Sequence, residues 1–197
     1  ISKIPFSGSF AGKSNSKPGD EIKVRINPLA VKRKNNSPIY VVIDSPGGSI
    51  TAGLDFIRFA NQFENVHTIT IMGASMGSAI AQGINGKRLV VEYGEFMFHR
   101  ASARISGQVE DGELERRLKR VKGLVKKLEI INSERIGISV EDYKQRVKDE
   151  WWVGSKESVK QNVADKRVKV KCNADLLTKT ETISVRSLFG YTKLKMS

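Results

Sequence analysis

The sequence predicts an α/β fold built on a parallel sheet, and three observations lead to this prediction. The apolar run Ile39 to Ile43 and the alternating, β-branched run His67 to Met72 are typical of strands. Each run leads into a turn that contains glycine, and each turn leads into a helical pattern. Because the carboxyl ends of parallel strands meet at one edge of a sheet, the two turns should face a common crevice.

The first strand–turn–helix unit follows an irregular start of the chain. A short strand is expected at Ile4 to Phe6, and Ser7 to Asp20 is rich in Ser, Gly and Lys, which is typical of a loop. The strand Ile39 to Ile43 runs into Asp44-Ser45-Pro46-Gly47-Gly48-Ser49, and a helical pattern continues through Phe63.

The second unit carries a serine at its turn. The strand His67 to Met72 is followed by Gly73-Ala74-Ser75-Met76-Gly77, and Ser78 to Gln82 begins a buried helix. Small neighbours allow a sharp turn and let a substrate carbonyl approach Ser75. The amino terminus of the helix also supplies unpaired N–H groups that can bind an oxyanion.

A long amphipathic helix follows Gly112. Its apolar residues lie three or four positions apart on one face, and its remaining positions are mostly basic. The apolar set is Leu114, Leu118, Val121, Leu124, Val125, Leu128 and Ile131, and the basic set is Arg116, Arg117, Lys119, Arg120, Lys122, Lys126 and Lys127. This pattern favours a helix whose basic face is solvated and whose apolar stripe packs against the domain or against another subunit. A basic amphipathic helix can also lie on a membrane or a phosphate backbone. Beyond Val170, the alternation in residues 182–185 is consistent with one more strand.

The serine has a candidate base. The chain contains two histidines, and His99 lies 24 positions after Ser75. A serine hydroxyl needs an adjacent base to act as a nucleophile at neutral pH, and histidine suits that task. The other histidine, His67, is expected to begin a strand. The sequence therefore makes a serine hydrolase the first hypothesis.

Several motifs together resemble the proteolytic subunit of the Clp protease, within the wider crotonase-like superfamily. Residues 45–53 (Ser-Pro-Gly-Gly-Ser-Ile-Thr-Ala-Gly), 74–77 (Ala-Ser-Met-Gly) and 96–100 (Phe-Met-Phe-His-Arg) are similar to its oxyanion, nucleophile and histidine motifs in order. Gly107-Gln108 resembles the opening of its handle region, and the stretch from Asp149 to Asp165 resembles the one that contains its catalytic aspartate. The resemblance covers about Ile39 to Val170.

The resemblance implies a ClpP/crotonase-like fold of repeated strand-strand-helix units with a protruding handle helix, in a single peptidase domain over residues 1–197. It also implies Ser75 as nucleophile, His99 as general base and then acid, and Asp149 as the group that orients His99. The backbone N–H groups of Gly48 and Met76 would form the oxyanion hole.

Alternatives remain for the acid that orients His99, which is the third member of the catalytic triad, and for the base. The spacing from Asp149 to Trp151 and Trp152 is one residue longer than expected of the family, and Asp142 and Glu150 lie nearby. The less favoured alternative is that Asp149 is a solvated carboxylate at a helix end. Relatives of signal peptide peptidase A use a lysine base. The Ser-Met-Gly context and the position of His99 favour histidine here, although the many lysines leave a lysine base open. The α/β-hydrolase fold is disfavoured, because its catalytic acid lies between the nucleophile and the histidine in the chain. The interval from Ser75 to His99 is too short for the strands and helices that this order requires.

Composition excludes some classes of site. One cysteine, Cys172, cannot form an internal disulfide, and one cysteine with two histidines makes a zinc site improbable. A serine peptidase mechanism needs neither a metal nor an organic cofactor, so none is expected. No apolar run approaches the roughly 18 residues of a membrane span. The net charge of +13, with 34 basic and 21 acidic residues, fits a protease poorly. Nothing resembles a nucleic-acid module with stacking aromatics, so no specific nucleic acid is expected as a partner.

The resulting hypothesis is a serine endopeptidase that acts on unfolded or extended polypeptides. The resemblance implies a homo-oligomeric ring, possibly of stacked heptamers, and an ATP-dependent unfoldase as a possible partner. It also implies a soluble bacterial protein, with a cytoplasmic or a periplasmic location left open. The alternative is a catalytically silent relative that serves as an assembly or binding subunit.

Overall fold

The computed structural model describes residues 2–7, 38–102, 112–170, 181–187 and 190–196. The expected loop after Ser7, the Gly107-Gln108 motif and Cys172 lie outside these residues.

The described residues form eight strands and five helices. In chain order these are β1 (Ser2–Ser7), β2 (Ile39–Ser45), α1 (Ile50–Ala60), β3 (Val66–Ala74), α2 (Met76–Gly83), β4 (Arg88–Phe98), α3 (Glu113–Ile136), α4 (Val140–Arg146), β5 (Trp151–Gly154), α5 (Ser155–Lys160), β6 (Lys166–Val168), β7 (Glu181–Ser187) and β8 (Gly190–Met196).

The main sheet is largely parallel, so the predicted α/β class is confirmed. Its strand order is β1-β2-β3-β4-β5, in which β1 to β4 are parallel and β5 is antiparallel to β4. The short β6 runs parallel to β4 along residues 89–91. Strands β7 and β8 form a separate antiparallel pair, which includes the strand expected at residues 182–185. The carboxyl ends of β2, β3 and β4 therefore lie side by side, and the two glycine turns follow β2 and β3.

The core lies between the sheet and its helices. Strand β2 buries every second residue up to Ile43, and Phe56 of α1, Ile80 of α2 and Phe96 of β4 join the same cluster. A group of rings extends this core toward the carboxyl end of β4. The ring of Phe98 lies 5.0 Å from Trp151 and 6.2 Å from Tyr143, centroid to centroid.

Helix α3 is 24 residues long and ends at Gly137, which adopts the left-handed conformation with φ +83°. All seven cations of its basic set are exposed. Its apolar stripe divides into two parts. Leu114 and Leu118 are 45% and 40% exposed, whereas Leu128, nearer the other end, packs against the core.

A buried arginine joins the sheet to the carboxyl end of α3. Arg88 is 3% exposed, and its guanidinium donates to Gln82 Oε1 (2.8 Å), the Arg135 carbonyl (2.9 Å) and the Asn162 carbonyl (2.8 Å). It also pairs with Asp165 Oδ1 at 2.6 Å. Asp165 lies in the turn between α5 and β6.

Candidate active site

Ser75 occupies a strained turn between β3 and α2. Its backbone has φ 55° and ψ −115°, a positive φ that residues other than glycine rarely adopt. Helix α2 begins at the next residue, Met76, so the serine projects from a sharp strand-to-helix connection. Such strain is stored at sites where the surrounding structure fixes it, and nucleophile turns are one such place.

Hydrogen bonds fasten this turn to strand β4. The Ser75 N–H donates to the Met97 carbonyl at 2.8 Å. The buried hydroxyl of Ser78 donates to the same carbonyl at 2.9 Å and also to the carbonyl of Gly73. Since Met97 lies two residues before His99, the turn and the histidine are held on one rigid frame.

His99 meets the serine directly. It lies just past the end of β4, and its Nε2 is 2.7 Å from Ser75 Oγ. With a neutral imidazole that carries its proton on Nδ1, the serine hydroxyl donates to Nε2. That contact can remove the hydroxyl proton as the oxygen attacks a carbonyl.

The other glycine turn touches the Ser75 turn closely. Gly47 has φ +101°, and a Cβ added there would lie 2.7 Å from both the Ala74 carbonyl oxygen and Ser75 Cβ. It would also lie 2.9 Å from the backbone nitrogen of Met76. The first helical N–H groups have no partner within a helix, and Met76 is the first residue of α2. Gly48 follows Gly47 and lines the same cavity as Ser75 and Met76.

The structure does not bring Asp149 to His99. Asp149 is exposed in the bend between α4 and β5, and within the described residues it makes no hydrogen bond to His99, whose Nε2 contacts Ser75. The two neighbouring acids have other contacts. Asp142 accepts from Ser139 Oγ (2.8 Å) at the start of α4, and Glu150 accepts from Trp152 Nε1 (2.9 Å). The third member of the triad stays a prediction.

A cavity of about 560 Å³ opens beside Ser75 and His99. Its wall includes the aliphatic residues Val125, Leu128 and Val147, the last just after α4, and the charged residues Arg100, Glu129 and Lys144. Two buried polar residues, Asn132 and Tyr143, also line it. Sequence reasoning missed both. Asn132 is a polar residue on the apolar face of α3, four positions after Leu128, and this was the signal that the sequence offered. Tyr143 lies in a short helix without a motif.

The other titratable groups offer no metal site. Within the part of the chain that the structure describes, no three His, Cys, Asp or Glu side chains are grouped so that they could hold a metal ion. His67 lies near the start of β3, and its Nδ1 accepts from the Lys87 N–H at 3.0 Å. Burial, with a contribution from Lys87, lowers the pKa of His67, which is consistent with a neutral acceptor.

The fold and the paired side chains define a class: a parallel α/β protein that presents a serine to a histidine at the carboxyl edge of its sheet. Comparison with known proteins gives the family. The sequence model described as Clp protease matches residues 19–171, and the chain belongs to this family. The resemblance noted from the motifs is confirmed.

Individual relatives are moderately similar. The chain is 30% identical over 134 residues to the ATP-dependent Clp protease proteolytic subunit of Streptococcus mutans, which covers 66% of this chain and 68% of the relative. It is 31% identical over 162 residues to the subunit of the same name from Borreliella afzelii, with 79% of each chain covered. A third relative, proteolytic subunit 2 from Bacillus licheniformis, is 33% identical over 136 residues, or 66% of this chain and 70% of that one.

Proposed function

We propose that this protein is a serine endopeptidase that hydrolyses unfolded or extended polypeptides, with Ser75 as nucleophile and His99 as base. The observation that carries the proposal is the 2.7 Å contact between Ser75 Oγ and His99 Nε2 at a strained strand-to-helix turn. Membership of the Clp protease family supports the same activity.

The reaction follows from these groups. His99 takes the proton of Ser75 as Oγ attacks the scissile carbonyl, and the N–H groups of Gly48 and Met76 stabilise the resulting oxyanion. His99 then gives the proton to the leaving amine, which releases one product and leaves an acyl-enzyme. Water attacks the ester with His99 again as base, and collapse of the second intermediate frees the acid product and restores Ser75.

Asp149 is proposed to orient His99 through Nδ1. This role requires a hydrogen bond between His99 Nδ1 and the Asp149 carboxylate in the active enzyme. Comparing Asp149→Asn with the neighbouring Glu150→Gln separates the two carboxylates. We expect the larger loss of kcat from Asp149→Asn, because a misoriented imidazole loses the tautomer that accepts the serine proton.

Substrate and partners follow from the site and the family. An extended peptide would lie between the Gly48 segment and the residues after His99, paired through its backbone, which favours unfolded chains. Relatives named ATP-dependent proteolytic subunits support a ring of identical subunits that receives substrate from an ATP-driven unfoldase. None of the helices in the described ranges combines the length and the hydrophobicity that a membrane span requires.

Labelling with a fluorophosphonate probe tests the proposal, because only an activated serine reacts with it. We expect one labelled serine, lost in Ser75→Ala and retained in Ser102→Ala. Ser102 is a suitable control because it is exposed and lines the same cavity. Peptidase activity should fall by several powers of ten in Ser75→Ala.

The same preparation tests the base. Peptidase activity should fall by several powers of ten in His99→Ala, because the serine then has no base. Activity that survives His99→Ala would indicate a lysine base. A wild-type chain that neither reacts with the probe nor cleaves peptides would favour the silent assembly subunit instead.

A further inference from the structure

The exposed side of helix α3 carries a dense group of cations. We call this group the basic face of α3, and it consists of Arg116, Arg117, Lys119, Arg120, Lys122, Lys126 and Lys127, all of them exposed. Arg117 pairs with Glu113, whereas the other six form no ion pair with any residue that the structure describes. Like charges three or four positions apart destabilise a helix, so the basic face does not serve to stabilise α3. Its positive charge is available to a partner.

The basic face borders the cavity beside Ser75. Val125 and Glu129 of α3 line that cavity. Residues three or four positions apart are neighbours on a helix surface, so Lys122 lies beside Val125 and Lys126 lies beside Glu129. The two lysines therefore stand at the edge of the proposed active site.

The charged residues of the cavity lining add to this positive potential. Glu129 pairs with Lys144 at 3.4 Å, so its negative charge is largely balanced. Arg100 is exposed, lines the cavity and has no ion-pair partner in the described ranges. Together with the net charge of +13, this arrangement attracts acidic groups toward the cavity and repels basic ones.

The composition of α3 distinguishes between classes of anionic partner. The helix contains no aromatic residue on which nucleic-acid bases could stack. Leu114 and Leu118 are exposed, but Leu128 packs against the core, so α3 offers no continuous apolar face to a bilayer. An acidic polypeptide requires neither feature, because its carboxylates bind cations through charge and hydrogen bonds alone.

We propose that the basic face of α3 recruits acidic, unfolded polypeptides to the cavity beside Ser75. From Arg116 to Lys127 the face is about 17 Å long at a rise of about 1.5 Å per residue, a length that an extended peptide spans with about five residues. The preferred substrate therefore carries a run of aspartate or glutamate several residues away from the bond that Ser75 attacks. The inference rests on the proposed peptidase function and names the substrate class for it.

Two peptides with the same cleavable sequence test this inference. One carries a run of about five glutamates on each side of that sequence, and the other carries glutamines instead. We expect wild type to favour the glutamate peptide by about tenfold or more in kcat/KM at low salt, through a lower KM, because the charges lie away from the reacting bond. At about 1 M NaCl, where the screening length is about 3 Å, the two kcat/KM values should converge.

Two double variants locate the effect. Lys122→Gln with Lys126→Gln should reduce the preference at low salt by about threefold or more, through a higher KM for the glutamate peptide. Lys156→Gln with Lys166→Gln is the matched control, because it removes the same charge from exposed lysines on α5 and β6 that do not line the cavity. The control should keep the wild-type preference.

Labelling of Ser75 by the fluorophosphonate probe distinguishes this inference from the peptidase proposal. If Ser75 is labelled and wild type cleaves both peptides equally at low salt, the inference is wrong and the peptidase proposal stands. An equal loss of preference in both double variants would also overturn the inference, because it would assign the effect to net charge and not to α3. Absence of both labelling and cleavage would overturn the two proposals together.

The other anionic partners are tested with the same wild-type protein. Binding to phosphatidylglycerol vesicles or to duplex DNA at physiological salt, without a preference for the glutamate peptide, would assign the basic face to that partner and overturn the inference.

Discussion

Gly47 shows how one hydrogen atom in place of a side chain can determine the geometry of the site. Gly47→Ala would place a Cβ 2.7 Å from Ser75 Cβ and would strain a backbone with φ +101°. We expect the Ser75 turn to shift, with a loss of about 100-fold in kcat/KM. The strained backbone should also lower the free energy of unfolding. Peptidase kinetics and thermal unfolding measure the two effects.

Gly154→Ala is the control for that substitution, since a Cβ there meets nothing within 4 Å. It should leave the rate unchanged. Full activity in Gly47→Ala would contradict the tight contact between the two glycine turns.

Asp165 should make stability depend on pH. Burial alone would raise the pKa of this carboxyl, but its hydrogen bonds to Arg88 outweigh burial and lower it. A lowered folded-state pKa stabilises the fold fully above the ordinary value of about 3.9 and loses that effect as pH falls through the folded-state value. At pH 7 Asp165→Asn should therefore reduce the free energy of unfolding, by about 1–2 kcal/mol because the carboxyl is partly exposed.

Urea unfolding of both proteins from neutral to strongly acid pH measures this difference. The gap between wild type and Asp165→Asn should close at the acid end. A difference of constant size across the pH range would show that the charge of Asp165, paired with Arg88, contributes nothing to the free energy of unfolding.

Single residues differed in how readily the sequence revealed them. Ser75 stands in a glycine-rich turn after a strand and His99 is one of two histidines, so both could be proposed from motif and spacing. Arg88 and Asn132 could not, because their roles depend on partners 77 and 11 positions away in the chain. No local pattern records such contacts.

At the level of elements, strands with strong apolar alternation were predictable. The expected strand at residues 39–43 is the core of β2, and the one at 67–72 lies within β3. Strand β4 was not predicted, because Glu92, Tyr93 and Gly94 interrupt its apolar pattern in the middle. It becomes a strand through pairing with β3 on one side and with β5 and β6 on the other. Such pairing is tertiary context, which outweighs local propensity.

At the level of the whole molecule, the amino-terminal half of α3 is the candidate surface for self-association. Leu114 and Leu118 are exposed there. Leu128 packs against the core, so a substitution at Leu128 would affect folding and not only assembly. We expect Leu114→Asp with Leu118→Asp to reduce assembly size in light scattering while circular dichroism stays unchanged, because an unpaired charge in an apolar interface is costly.

Lys119→Asn with Lys122→Asn changes the net charge by the same amount on the exposed face of α3 and should leave assembly intact. Assemblies of unchanged size in the leucine variant would assign the contact to another surface. A wild-type protein that is monomeric would contradict the proposed ring.

Arg88 also bears on how the folded chain opens transiently. Its partners belong to α2, to the last turn of α3 and to the turn that leads into β6, three segments with no common neighbour in sequence. Each segment is hydrogen-bonded to the same guanidinium, so none of them can move away from Arg88 without breaking those bonds. Local unfolding at this end of the molecule should therefore be cooperative, with the three segments exchanging their amide hydrogens as one unit and not fraying one after another.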